Sequence, residues 1–311
     1  SRFDVVSCDE EVSVCLSIND FSNAISSISE EYITLTFENN TCNITHSKGG
    51  ISIPFGDSEE FPKPKLEETK NKLKIKNEVL YNLLNEAKNF TSTEVHLGNL
   101  GGVNIVFEPN QMYIASTNGL IVYYDHEAHD QEVEEKNTII PNKAIPVILN
   151  MLKRADEVTI SIGSSNIMFT SSTSTLVVKQ LEGKFPNVRS VLYGDNTIMV
   201  TTKRDELIKS FNQCLLFSNK ESKLIKMSVN ENISLTAANL EQQTNCTSMC
   251  DCELWEGEEI TIGVNGKFAE SCLNCIKSDV VEIQMNNPNK PIILRDQERP
   301  NKVILLMPMM L

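Results

Sequence analysis

Apolar residues recur along this chain at two spacings, one suited to a helix and one to a strand, and the spacings alternate in a fixed order. Residues 12–55 read as a strand, a helix with Phe21, Ala24, Ile25 and Ile28 on one side, a polar break, and three strands of alternating pattern. Residues 137–181 repeat that order, with Val147, Ile148, Met151 and Leu152 as the helical stripe. Residues 258–307 repeat it again, with Phe268, Ala269, Cys272, Cys275 and Ile276. Asn19, Asn142 and Asn265 stand where each helix begins and are expected to cap it, an Asn side chain accepting from amides that lack an intrahelical partner. Pro146 falls in a first turn, where its missing N–H costs nothing.

A second unit alternates with the first. Residues 73–90 followed by 103–116 match residues 198–217 followed by 225–239, each a strand, a helix and further strands. In the later copy, Thr202 with Asp205 reads as a capping box ahead of Leu207, Ile208, Phe211, Cys214 and Leu215. The units thus follow one another as B, A, B, A, B. An A–B pair spans about 115 to 130 residues, and the leading B unit stands without a partner A, which leads us to expect that about 55 residues of a natural protein precede it. Polar joints carrying Phe-Pro, at residues 55–72 and 181–196, divide the chain into 1–66, a partial first domain, 67–188, a middle domain, and 189–311, a last domain. One helix and a small antiparallel sheet per unit make the class α+β, with helices on one sheet face.

Composition adds limits. The chain has 311 residues, 40% hydrophobic and 23% charged, with a net charge of −14. The acidic balance argues against an ordinary nucleic-acid binder, whose footprint is basic, unless its cations gather on one face. No apolar run is long enough for a membrane span, and the opening residues do not read as a signal peptide. Nine cysteines, an odd number, point to reduced thiols in a cytoplasm rather than a disulfide framework.

The joint Leu-Glu-Gly-Lys-Phe-Pro-Asn-Val, the stretch "LLFSNKESKLIKMSV", the turn "EITIGVNGKF" and the final "LLMPMML" stand in one order along the chain. In them the chain resembles the bacterial sliding-clamp family, the beta subunit of DNA polymerase III. The resemblance implies the DNA-clamp fold, tandem helix-plus-sheet domains closed head to tail into a homodimeric ring around double-stranded DNA. It further implies a non-catalytic cytoplasmic protein with no cofactor and no membrane contact. Its implied partners are the replicative polymerase catalytic subunit, the clamp loader and other proteins that carry a clamp-binding motif.

By the same resemblance, the cations expected to face DNA are Lys88, Lys143, Lys153, Arg154, Lys203, Lys209, Lys267 and Lys277. The implied peptide pocket uses Ser116, Asn118, Leu120, Ile121, Pro186, Val191, Asn265 and Phe268, with Leu305, Leu306, Met307, Pro308, Met309 and Leu311 as its wall. Apolar residues at a chain terminus suit such a site, since methionine adapts to varied ligands. The ring contact is expected to use Ile51 and Ile53 on one side, Leu216 and Phe217 on the other. Where the family pattern reads Thr-Asp-Gly-His-Arg/Lys-Leu, residues 116–122 read Ser-Thr-Asn-Gly-Leu-Ile-Val. Met310 stands in place of an Arg and Phe268 in place of a Tyr. A less polar pocket rim is implied.

Two stretches have the residue types of a metal site. His126 and His129 among Asp125, Glu127 and Asp130 have ligand-like spacing but are expected in a solvated loop. Cys250, Cys252, Cys272 and Cys275 suggest zinc. Yet Cys272 and Cys275 lie on the apolar stripe of their helix and Cys250 and Cys252 alternate along a strand, where a buried thiol serves as a small hydrophobe. A zinc hydrolase or a structural repeat protein without DNA are the alternatives. Nothing in the sequence forms a nucleophile elbow, phosphate loop or dinucleotide fingerprint.

Overall fold

The computed structural model describes residues 5–61, 71–192 and 194–311, and the chain separates into two compact units, 1–66 and 67–311. The expected boundary at 66/67 lies outside the described residues.

The first unit holds β1 (Val14–Leu16), α1 (Ile18–Ser27), β2 (Thr34–Glu38), β3 (Thr41–His46) and β4 (Gly49–Asp57). Its antiparallel sheet runs β1-β4-β3-β2, and its core is small: Ala24, Cys42, Ile44 and Ile53 are buried, with Phe21, Ile25 and Ile28 only partly so. The cap of α1 is Ser17 rather than Asn19. The Ser17 hydroxyl accepts from the Asp20 amide, so the serine one residue before the helix takes the cap and leaves Asn19 inside the first turn.

The second unit begins with β5 (Lys72–Lys76), α2 (Asn77–Ala87), β6 (Gly102–Glu108), β7 (Gln111–Thr117) and β8 (Ile121–Ala128). It continues through β9 (Lys136–Pro141), α3 (Ile145–Leu152), β10 (Glu157–Ile162), β11 (Asn166–Thr170), β12 (Thr175–Lys179) and the one-turn α4 (Arg189–Leu192). The A–B grammar then recurs as β13 (Ile198–Lys203), α5 (Arg204–Phe217), β14 (Leu224–Val229), β15 (Asn232–Asn239) and β16 (Thr244–Asp251). After a short β17 (Leu254–Glu256) come β18 (Ile260–Asn265), α6 (Gly266–Leu273), β19 (Val280–Met285), β20 (Ile292–Asp296) and β21 (Arg299–Leu306).

Three sheets result: β12-β11-β10-β5, β16-β15-β14-β18, and a nine-stranded sheet β17-β13-β19-β20-β21-β8-β7-β6-β9. The long sheet crosses the expected 188/189 joint, because β21 pairs antiparallel with β8, Leu306 opposite Ile121 and Val303 opposite Tyr124. Helices pack in pairs, α2 with α3 and α5 with α6, and bury their stripes in one large core. A second cluster on the long sheet covers Ala115, Tyr124, Ile139 and Val303 with Phe185, Val188 and Leu192 from the joint.

Two caps differ from expectation. Thr202 is buried in β13 and donates to the Asp251 carbonyl, so α5 begins after Lys203 with no side-chain cap. Asn142 opens a 3-10 turn and donates to the Lys88 carbonyl. Asn265 does cap α6, accepting from the amides of Lys267 at 3.0 Å and Phe268 at 3.2 Å.

Candidate functional site

The residues 307–311 leave β21 and run across two elements. The Met307 amide donates to the Leu120 carbonyl at 2.8 Å, and the Met309 amide donates to the Gly263 carbonyl at 2.7 Å. Met309 and Gly263 form an isolated antiparallel bridge, so the tail lies on β18, the edge strand of its sheet. Edge strands leave backbone groups unpaired, and a segment laid alongside satisfies some of them. Beyond that bridge, Met310 is 92% exposed and Leu311 63% exposed.

Opposite the tail stands the β7–β8 turn. The Thr117 hydroxyl donates to the Ile121 carbonyl at 2.6 Å, and Asn118 Oδ1 accepts from the amides of Leu120 and Ile121. Gly119 sits at φ +88°, a backbone conformation that favours glycine. This tight turn thrusts Leu120 outward, half exposed. The start of α6 is fixed by Asn265, whose amide also donates to the Ser222 carbonyl, leaving Phe268 part-buried beside it.

On the joint, Phe185, Val188 and Leu192 are buried while Pro186 and Val191 face outward. Arg189 holds α4 in place: it forms a two-pronged pair with Glu108 at 2.7 and 2.9 Å, bonds the Tyr124 hydroxyl at 3.1 Å, and lies 4.2 Å from the Tyr113 ring centre. Burial opposes ionisation of Glu108, but Arg189 and Gln111 hold its carboxyl below the ordinary range. Val191 lines a cleft with Asn196, Pro291 and Ile293.

The tail thus runs from Leu120 of the β7–β8 turn, at Met307, to Gly263 of β18, at Met309. Four expected pocket residues are turned inward. Ser116 is buried and donates to the Ala87 carbonyl at 2.6 Å, while Ile121, Leu305 and Leu306 are core residues of the β8–β21 ladder. Of the expected ring-contact residues, Ile53 is likewise core, and Ile51 packs against the same small cluster. Leu216 and Phe217 do stand exposed at the end of α5. Gly263 and Arg189 were missed from sequence. A glycine inside a strand signals close backbone approach and could have marked the first.

The eight expected cations all reach the surface, with Lys88 half-buried. Several already have partners. Lys203 pairs with Glu206, Lys267 with Glu270, and Lys277 lies 3.7 Å from Glu86. Lys88 bonds Asn85, and Lys153 lies 5.7 Å from the Tyr81 ring centre. Lys143, Arg154 and Lys209 are exposed.

The loop reading of residues 125–130 is corrected by the structure. β8 extends to Ala128, so Asp125, His126 and Glu127 are strand residues, and Asp125 and Glu127 pair with Arg299 at 2.5 and 3.1 Å. Among the described residues no group of three or more His, Cys, Asp or Glu could hold a metal ion. Burial pushes the Cys250 and Cys275 thiols up to about 11, and Cys272 well above its usual value, as expected of packed hydrophobes. No described helix is long and apolar enough to cross a membrane.

A further cluster escaped the sequence altogether. Lys302, 1% exposed, donates to the Cys275 carbonyl at 2.6 Å and pairs with Glu86 at 2.9 Å and Asp296 at 3.0 Å. Tyr123 donates to Glu86 at 3.2 Å. The network ties α2 and β8 to β20, β21 and the loop after α6.

Against known families, residues 189–310 match the model described as "DNA polymerase III beta subunit, C-terminal domain", and residues 74–187 match its "central domain". The "Beta sliding clamp" of Haemophilus influenzae is 22% identical over 281 residues, covering 90% of this chain and 76% of that protein. That of Vibrio cholerae is 25% identical over 178 residues, and there the chain spans only 48% of its relative. Among solved structures, the DNA polymerase III subunit beta of Pseudomonas aeruginosa shares a TM-score of 0.90 at 19% identity, covering 96% of this chain and 83% of that one. The beta subunit of Thermotoga maritima gives 0.89 at 18%, covering 99% and 84%. At such identity these two likenesses speak to the fold alone.

Proposed function

This chain belongs to the DNA polymerase III beta subunit family, the bacterial sliding clamps, which are non-catalytic processivity factors; on that premise we propose how it acts. It encircles double-stranded DNA as a head-to-tail homodimer and docks client peptides on its apolar tail surface. The single observation that carries the docking reading is the Met307–Leu311 tail laid on the edge of β18 beside Leu120 and the capped start of α6.

A ring needs no strong DNA site, because it is held by topology. Weak contacts from lysines and arginines to phosphates are independent of sequence and let the ring slide. Lys88, Lys143, Lys153, Arg154, Lys203, Lys209, Lys267 and Lys277 supply those contacts. A net charge of −14 is compatible with this, since acidic outer surfaces repel DNA while local cations attract it. Leu216 and Phe217 on α5 are the apolar residues available for the contact between protomers. The three-part arrangement 1–66, 67–188 and 189–311 is part of this reading, supported by two family models that meet at residues 187 and 189.

The docking surface receives short apolar peptides from the replicative polymerase catalytic subunit, the clamp loader and other clamp-binding proteins, in the bacterial cytoplasm. Leu120, Pro186, Val191, Phe268, Met307, Pro308, Met309 and Leu311 make its wall, with Asn118 and Asn265 fixing the backbone around it. Encirclement is tested by loading the protein on closed circular duplex DNA and then linearising it. Retention on the circle and loss from the linear form is the expected result; equal retention on both contradicts the ring.

A further inference from the structure

Two of the nine cysteines meet between a helix and a strand. Cys214 on α5 and Cys246 on β16 place their sulfurs 3.8 Å apart although 32 residues separate them along the chain. Cys214 is fully buried and its thiol also points at the Leu235 carbonyl, 3.5 Å away. Cys246, on the edge strand of its sheet, is 8% exposed, the more accessible residue of the two. Helix and strand are already joined there, Ser248 on β16 bonding Ser210 and Gln213 on α5 at 3.1 and 3.0 Å. The neighbouring thiols are directed elsewhere, Cys250 to the Ile233 carbonyl and Cys252 to the Asn230 carbonyl. A disulfide is about 2.0 Å long, so closing the gap takes a shift of about 1.8 Å, within reach of side-chain rotation on a packed helix and strand.

We propose that Cys214 and Cys246 form an oxidisable dithiol, a covalent modification site whose co-reactant is a small peroxide and whose product ties α5 to β16. The step balances as follows for hydrogen peroxide. The Cys246 thiolate attacks one peroxide oxygen, the O–O bond breaks, and a sulfenic acid and hydroxide result. Cys214 then attacks the sulfenic sulfur while giving up its proton. The S–S bond forms, the S–O bond breaks, and the oxygen leaves as water. In sum, two thiols and one peroxide yield one disulfide and two waters, the thiols being oxidised and the peroxide reduced. Burial pushes Cys214 up to about 12, which disfavours it for the first attack.

The site is tested on the full chain, reduced, freed of reductant and exposed to hydrogen peroxide. The expected product is lighter by about 2 Da and melts roughly 5 °C higher, because the cross-link restricts the unfolded chain. An unreduced digest of it contains a Cys214–Cys246 linked peptide, and dithiothreitol reverses all three changes. Cys246→Ser abolishes them. Oxygen adducts without that linked peptide, or a disulfide mapped to other cysteines in the wild-type digest, overturn the proposal whether or not the variant folds.

Discussion

Met309 and Gly263 meet backbone to backbone: the Met309 amide donates to the Gly263 carbonyl at 2.7 Å. A Cβ added to Gly263 would lie 2.5 Å from the Met309 carbonyl oxygen and 3.1 Å from Leu311 Cδ2. The closest of these neighbours is backbone, so the tail rather than a side chain has to move. Gly263→Ala is therefore expected to lift the tail from β18 and weaken binding of an apolar client peptide about tenfold, the loss of one net hydrogen bond, or more. Fluorescence anisotropy of a labelled peptide reads the change, with circular dichroism showing the fold retained.

Lys302→Met removes the buried ammonium shared by Glu86 and Asp296. Asp296 then loses its cation, and Glu86 keeps only Lys277, 3.7 Å away. The expected loss is about 3–5 kcal/mol of unfolding free energy, the usual result of breaking one side of a buried ion network. Urea denaturation of the full chain measures it.

The same network sets an acid response with a definite sign. Burial opposes ionisation of Asp296, but the Lys277 amide, Lys302 and Ser278 together hold its carboxyl below the ordinary value. A depressed folded value means stability that is present above the unfolded value, about 3.9, and lost as the pH falls through the folded one. Asp125 acts in the opposite sense. Its burial outweighs the Arg299 and Lys302 charges and raises its carboxyl, so stability falls as the pH rises from about 3.9 through that raised value. Asp296→Asn is thus expected to flatten the acid limb of a urea-midpoint curve below about pH 4, while Asp125→Asn flattens the stretch just above it.

Arg189→Ala frees α4 from the long sheet by deleting the Glu108 pair and the Tyr113 and Tyr124 contacts. The expected cost is about 1–3 kcal/mol, since charge-assisted hydrogen bonds are the stronger kind. A faster amide exchange confined to residues 185–192 would show that the joint, and not the whole unit, has loosened.

Much of this architecture was legible because periodicity reports burial directly. The stripes of α1 and α6, and the cap at Asn265, stand where the apolar spacing puts them, whereas α3 turns Val147 outward, 55% exposed, and buries Ile145 and Leu149 beside Ile148 and Leu152. The caps at Asn19, Asn142 and Thr202 were misplaced because several residues near each helix start can accept a backbone hydrogen bond, and tertiary partners such as the Asp251 carbonyl decide between them. Residues 125–130 looked like a loop because polar residues in a strand usually face water; Asp125 instead faces Arg299 from a partner strand. Lys302 was illegible for the same reason, its two carboxylates lying on α2 and β20. Within the proposed docking surface, sequence named the tail and the β7–β8 turn. It could not tell which residues of Leu305–Leu311 end in the core, because that depends on the β8–β21 register.

The docking surface itself is tested most directly by measuring the affinity of a polymerase-derived clamp-binding peptide for the full chain and for a form ending at Pro308. The intact chain is expected to bind with a Kd on the order of micromolar and the shortened form to bind at least about tenfold more weakly, with unchanged thermal melting. Equal affinity for both forms would contradict a tail that serves as the binding wall.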